Sequence, residues 1–341
     1  MKLIIQIPCY NEEETLPLTI ADLPRQIDGI DTVEYLIIDD GSSDGTIDAA
    51  RENGVHHIVG FKANKGLAYA FQAGIDACLR LGADIIVNTD ADNQYCGEDI
   101  EKLVAPILAG QSDIVIGERP IYETEHFSPL KKRLQRAGSF VVRICSGTKV
   151  PDAPSGFRAY SREAALRLNV VNNYTYTLET IIQAGMDRMA ITSVPIRTNP
   201  ETRKSRLFKS IAAYIRRSMS VILRSYVMYR PLRFFLTFGS VFITVGLLLD
   251  IRYIILKFIM DSEKSHIPSV VLSAIFLIIG VQCVITGVLS DIVATNRKLL
   301  EDIQYRIRRA ETAFQAEERA AKADASAMET DAKAEREENR L

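Results

Sequence analysis

Ile85-Ile86-Val87-Asn88-Thr89-Asp90-Ala91-Asp92-Asn93-Gln94 is the stretch on which the reading of this chain turns. A short apolar run gives way abruptly to carboxylates and amides. Such a run, bounded by polar turn residues, reads as a buried strand. The same punctuation recurs at residues 3–7, 35–38, 57–59 and 114–116. Stretches with helical spacing lie between, at 15–27, 46–53 and 66–81. Strands alternating with helices predict an α/β fold with a mostly parallel sheet and helices on both faces. In such sheets ligands bind beyond the carboxyl ends of the strands. Here those ends carry Pro8-Cys9-Tyr10-Asn11-Glu12, Asp39-Asp40-Gly41-Ser42 and Asp90-Ala91-Asp92.

Two carboxylates at i and i+2 on a strand end can converge on one hard cation. Mg²⁺ or Mn²⁺ held by one or two carboxylates plus substrate phosphates is the usual arrangement. Alone, the Asp90-Ala91-Asp92 triplet equally fits a turn or a helix cap. Its neighbours at the same sheet edge change that weight. Asp40 could accept hydrogen bonds from a base or ribose, as acidic residues do after strands in nucleotide folds. Tyr10 could stack on a base, Glu12 could hydrogen-bond it, and Lys65, opening a helix, could reach a phosphate. Ser42, Asp44 and Thr46 suit the turn and the cap of the next helix.

Pro8-x-Tyr10-Asn11-Glu12, Asp39-Asp40-Gly41-Ser42-x-Asp44-Gly45-Thr46, Asn64-x-Gly66, Asp90-x-Asp92-x-Gln94, Gly117-x-Arg119 and Ser155-Gly156-Phe157-Arg158 together resemble glycosyltransferase family 2. They look most like its polyprenyl-phosphate and dolichyl-phosphate glycosyltransferase branch, over about residues 1–206. The resemblance implies a GT-A catalytic domain, a nucleotide-sugar donor, a divalent metal and inversion at the anomeric carbon. Pro8, Tyr10, Asn11, Glu12, Asp39, Asp40, Lys65 and Ala91 would line the nucleotide. Asp90, Asp92 and Gln94 would hold Mg²⁺ or Mn²⁺. Arg203 would fold over the donor diphosphate. Arg119, with Arg133 or Arg136 and Ser139, would meet the acceptor phosphate, making Asp90, Asp92 and Arg119 the catalytic set. The donor expected is a UDP-hexose, UDP-glucose first, with GDP-mannose as the alternative. A tethered, inactive nucleotide-sugar binder is the non-enzymatic reading, and the intact acidic pair argues against it.

Composition bounds the partners. The 341 residues carry 41 Lys/Arg and 43 Asp/Glu, a net charge of −2, without the basic excess of a nucleic-acid binder. Five scattered cysteines with no CxxC pair read as reduced thiols. The first residues lack a signal-peptide layout and read as a strand.

One segment departs from this balance. Residues 202–249 hold nine Lys/Arg and no acid, as a membrane-surface contact would. On a helical wheel Leu207, Ile211, Ile215, Met219, Ile222 and Tyr226 oppose Lys209, Arg216, Arg217 and Arg224, predicting a basic amphipathic helix in a lipid interface. Residues 234–249 and 267–290 are uncharged and predict two spans. Their basic flanks put both termini in the cytoplasm, in a bacterial inner membrane on the family resemblance. Leu300, Ile303, Ile307, Ala310 and Phe314 then form a heptad seam. A short self-associating helix fading into a frayed end is expected, and a homo-oligomer with it. The domains expected are 1–204, catalytic; 205–231, interfacial; 232–295, the membrane hairpin; and 296–341, the charged helical tail. A processive polysaccharide synthase is disfavoured, because the chain has no Trp and too few spans for a polymer channel.

Overall fold

A computed structural model describes residues 1–120, 129–171, 175–200, 211–259 and 267–338. Five strands form where apolar runs predict them: β1 (Lys2–Cys9), β2 (Thr32–Asp39), β3 (His57–Gly60), β4 (Ile85–Asn88) and β5 (Ile114–Glu118). Two more, β6 (Arg158–Ser161) and β7 (Ile191–Pro195), complete one sheet of order β3-β2-β1-β4-β6-β5-β7. All neighbours run parallel except β6, which is antiparallel to both β4 and β5.

The helices are α1 (Leu16–Asp22), α2 (Thr46–Glu52), α3 (Leu67–Arg80), α4 (Ile100–Leu108), α5 (Pro129–Ser146), α6 (Arg162–Arg167) and α7 (Tyr176–Met186). The central strand β1 is buried from Leu3 to Cys9, as expected where both sheet faces are covered. Leu3, Ile5 and Ile7 pack with Leu16, Ile20, Ile100, Leu103 and Val104. On the other face Gln6 meets α3, where a Cβ on Gly74 would fall 2.3 Å from the Gln6 Oε1 atom. Only a residue without a side chain fits there.

Past the sheet come α8 (Ile211–Tyr229), α9 (Pro231–Ile254), a π-helical turn (Ile255–Ile259) and α10 (Ile267–Glu338). Two compact units emerge: Met1–Ile222 with Asp302–Leu341, and Leu223–Glu301. In the second unit α9 and α10 approach closely at glycines. A Cβ on Gly239 would sit 3.0 Å from the Gly280 carbonyl oxygen, and one on Gly246 would sit 2.9 Å from the Leu277 side chain. The Ser273 hydroxyl donates to the Gly246 carbonyl at 2.9 Å. Small residues that let backbones approach are what helices use to associate in lipid. The outward faces are apolar and open, with Phe238 51%, Leu248 59% and Ile278 68% exposed. Both helices are long and apolar enough to cross a membrane, and little of either is covered by protein. On α8, Arg216, Arg217 and Arg224 are exposed while Val221 and Ile222 are buried. The wheel's Leu207 and Lys209 lie outside the described residues, and so do residues 260–266. Helical backbone continues to Glu338, through the stretch where the sequence predicts a frayed end.

Candidate active site

The parallel strands deliver three polar loops to one edge of the sheet, and hydrogen bonds stitch them together. After β1, Asn11 takes a left-handed backbone with φ +55°, which asparagine tolerates better than bulkier residues. Its N–H donates to the Ser42 hydroxyl at 2.9 Å and its side-chain carbonyl accepts the Ser43 N–H at 2.8 Å. The Glu12 N–H donates to Thr46 Oγ1 at 2.9 Å, and the Glu12 carboxylate accepts the Thr15 hydroxyl at 2.7 Å. The loop after β2 reaches the third loop in turn. Buried Asp40 accepts the Lys65 and Gly66 N–H groups at 2.7 and 2.8 Å, fixing the amino end of α3. Asp39, also buried, accepts the Ser42 N–H.

Gly41 is required between them. Its φ is +73°, and a Cβ there would strike the Ala63 backbone at 2.7 Å. At the rim, Tyr10 is exposed and the Lys65 ammonium lies over the Phe61 and Tyr69 rings, 4.8 and 4.4 Å from their centroids. Pro8 sits within β1 opposite Ile38.

Asp90 and Asp92 follow β4 directly. The Tyr95 hydroxyl hydrogen-bonds Asp90 and accepts the Gly156 N–H at 3.1 Å. The Tyr95 ring stacks on Phe157 with centroids 4.8 Å apart. Gly156 closes against the carboxylate so tightly that a Cβ would meet both Asp90 oxygens at 3.0 Å and the Tyr176 hydroxyl at 2.9 Å. Burial first, and then the negative charge of Asp92, push the Asp90 carboxyl up to about 7. Asp92 accepts the Gln94 N–H at 3.2 Å, and the buried Ala91 gives its carbonyl to Thr19. Asn93 is a second left-handed residue, φ +53°.

Two like charges crowded at a half-buried strand end are a donor set that a hard dication relieves, and oxygen ligands are what Mg²⁺ and Mn²⁺ prefer. The residues present therefore fit such an ion. No group of three or more His, Cys, Asp or Glu able to hold a metal occurs among the described residues. Diphosphate oxygens and water would supply the remaining ligands.

On the far side, Arg119, directly after β5, makes a bidentate pair with Asp152: Nε to Oδ2 at 2.7 Å and Nη2 to Oδ1 at 3.0 Å. Both partners are enclosed, at 12% and 1% exposure. The fork that the sequence offers to an acceptor phosphate is thus already engaged, with Asp90 contributing to its electrostatic surroundings. Asp152 and the other nearby negative groups raise the Arg119 guanidinium above its ordinary value, against the opposing effect of burial. The buried Ser139 hydroxyl accepts the Ala153 N–H at 3.2 Å, bracing the residue beside Asp152. The side chains of Arg133 and Arg136 lie outside the described residues, as does Arg203.

Arg158, which closes the Ser155-Gly156-Phe157-Arg158 motif, is fully buried. Its guanidinium donates to the Ser155 and Ala153 carbonyls and to Thr180. It holds backbone rather than ligand.

Sequence reasoning misses the floor of the site. Buried Asn88 accepts from Gln6 and donates to the Gly156 carbonyl and to the Tyr176 hydroxyl, at 2.8–2.9 Å. Tyr176 stacks on Phe71 at 3.9 Å. No sequence-local signal joins residues 88 apart, although Tyr95 stands only three places after Asp92. The segment after β7 is also pinned to the acidic loop. The Asn199 N–H donates to the Gln94 carbonyl at 2.9 Å, and Arg197 grips Asp99 through its backbone and side chain.

Comparison with known proteins bears on this arrangement. The model of glycosyl transferase family 2 matches residues 4–168. The UDP-N-acetylglucosamine–dolichyl-phosphate N-acetylglucosaminyltransferase of Methanococcus voltae is 32% identical over 214 residues, covering 56% of this chain and 83% of that protein. The undecaprenyl-phosphate mannosyltransferase of Micrococcus luteus is 31% identical over 206 residues, covering 58% of this chain and 83% of its own. Glucosyl-3-phosphoglycerate synthase from Mycobacterium tuberculosis, solved with Mn²⁺, UDP and glucosyl-3-phosphoglycerate, superposes with a TM-score of 0.52 at 21% identity. That superposition covers 66% of this chain and 79% of that one, and it is a likeness of fold.

Proposed function

The chain belongs to glycosyl transferase family 2, and from that premise we propose that it transfers one sugar from a nucleotide diphosphate-sugar to a polyprenyl phosphate at the cytoplasmic leaflet. The observation that carries this reading is the pair Asp90 and Asp92, set at the ligand edge of the sheet, where burial first and then the charge of Asp92 lift Asp90 to about 7. Asp90 and Asp92, with Gln94 beside them, would hold Mg²⁺ or Mn²⁺. When bound, the ion neutralises charge on the departing nucleotide diphosphate as a Lewis acid.

The remaining work falls to the chain's own groups. Tyr10, Asn11, Glu12, Asp39 and Asp40 border the nucleotide side, and Lys65 supplies positive charge at the rim. Arg203 lies four residues beyond Asn199, itself bonded to Gln94. Extended chain covers at most about 13 Å over that interval, and we assign Arg203 to the donor diphosphate within that span. A lipid monophosphate, with its second pKa about 6, is already an anion near neutral pH and needs no general base. The site has to orient two anions and neutralise their repulsion. Arg119, held in one orientation by Asp152, would present its remaining positive field to the acceptor phosphate, helped by Arg133 or Arg136.

The names of the two relatives, both acting on lipid phosphates, support this acceptor, as do two helices able to span a membrane. We take the topology to be both termini cytoplasmic, in a bacterial inner membrane. The donor we favour is a UDP-hexose, UDP-glucose first. GDP-mannose is the alternative, which the mannosyltransferase relative favours.

Membranes holding the protein should be given labelled UDP-glucose, UDP-N-acetylglucosamine or GDP-mannose, with either undecaprenyl phosphate or undecaprenol. Label is expected in lipid only with the phosphorylated acceptor. Equal transfer to the neutral alcohol would overturn the acceptor, and label from GDP-mannose alone would overturn the donor.

A further inference from the structure

Residues 302–319 of α10 belong to the globular unit, and the face they turn to it is polar. Tyr305 donates to Glu163 at 2.9 Å and lies under the Arg167 guanidinium. Arg308 pairs with Asp76 at 2.9 Å and donates to the Leu168 carbonyl at 2.7 Å. Thr312 is buried, and Arg319 reaches Gly82. Tyr305, Arg308, Thr312, Gln315 and Arg319 follow spacings of three, four, three and four, which is one helical face.

The opposite face carries the apolar seam. With Ile307 and Phe314 at heptad position a and Ile303 and Ala310 at d, the docked residues fall at b and f. Nothing among the described residues covers the seam: Ile303 is 51% exposed, Ile307 53% and Phe314 69%. Its flanks are charged in a specific order. Arg306 occupies g and Glu311 the following e. In a parallel, in-register pair each g residue faces the e residue five places on in the other helix, so Arg306 meets Glu311 twice. An antiparallel pair would instead set like flanks together. Within its own helix Arg306 pairs with Asp302, an exposed contact of little strength and free to exchange.

We propose that this stretch of α10 pairs in parallel with the same stretch of a second copy of the chain, through Ile303, Ile307, Ala310 and Phe314. Two heptads are too few to order a free peptide. Here the helix is already held by its polar face, so the ordering cost is met before association. The pairing stands on the heptad pattern and its charges and does not depend on the transfer reaction.

Single cysteines at Ile303→Cys, Phe314→Cys and, as a control at position c, Arg309→Cys test this in the full-length protein in detergent or nanodiscs. Oxidation is expected to give a covalent dimer with Ile303→Cys and with Phe314→Cys, and little beyond the parent chain with Arg309→Cys. Arg306→Glu or Glu311→Arg alone should lower the dimer yield several-fold, and the two together should restore it. Absence of dimer at both seam positions, equal dimer at Arg309→Cys, or crosslinking only between Ile303→Cys and Phe314→Cys chains would overturn the proposal. Retention of helical circular dichroism in each variant separates a lost contact from a lost fold.

Discussion

Burial and the charge of Asp92 together lift Asp90 to about 7, so near neutrality the metal-free side chain is partly protonated. An unfolded chain returns Asp90 to its ordinary value near 3.8. Between those values the folded state binds the proton that the unfolded state has released. Stability of the metal-free protein therefore falls as pH rises through that window. In EDTA, the thermal midpoint of wild type is expected to drop from about pH 4.5 to 7.5 relative to Asp90→Asn, and excess Mn²⁺ should remove the drop. Parallel pH profiles for the two proteins would contradict this.

Arg119 and Asp152 make a second residue-level case. Removing one member of a buried pair strands the other, at a cost of about 3–5 kcal/mol. Arg119→Ala should thus destabilise strongly in wild type and much less once Asp152→Asn is present, as read by denaturant unfolding. Equal costs in both backgrounds would show that the pair is not coupled. At this scale Asp90 and Asp92 were legible because an apolar run ends on them. The use of Arg158 to hold carbonyls was not, since a motif arginine looks the same in sequence whether it faces phosphate or backbone.

The elements that sequence reads well are those whose apolar runs or helical spacing are self-contained, such as β1, β4 and α3. β6 is only Arg158-Ala159-Tyr160-Ser161. It opens on a charge and derives its strand state from pairing with β4 and β5, which no local pattern announces. The tail of α10 teaches the converse. Its apolar seam stands out in sequence, yet the polar face is what docks to the same chain. Arg308 is central there, because it meets Asp76 and the Leu168 carbonyl just past α6. Gln72 links Asp76 onward to the Val170 N–H, near the start of α7. Arg308→Ala is expected to destabilise by about 1–3 kcal/mol and to speed amide hydrogen exchange at Asn169–Val171. Unchanged exchange at those amides would remove the tail from the support of α7.

Over the whole molecule, an acidic edge of a GT-A-like sheet and a pair of helices able to cross a membrane share one chain. Both were visible in sequence, the first as carboxylates after strands and the second as uncharged runs. The floor formed by Asn88, Tyr95, Gly156 and Tyr176 was hidden because it is assembled from segments distant in the chain. The most direct trial is transfer of labelled sugar to undecaprenyl phosphate by wild type and Asp92→Asn, in EDTA and after Mn²⁺ is restored. Wild type is expected to be silent in chelator and to recover with Mn²⁺. Asp92→Asn should remain at least roughly a thousand-fold slower, in keeping with several kcal/mol of transition-state stabilisation. Undiminished transfer in chelator, or a fully active Asp92→Asn, would contradict the metal-assisted reaction.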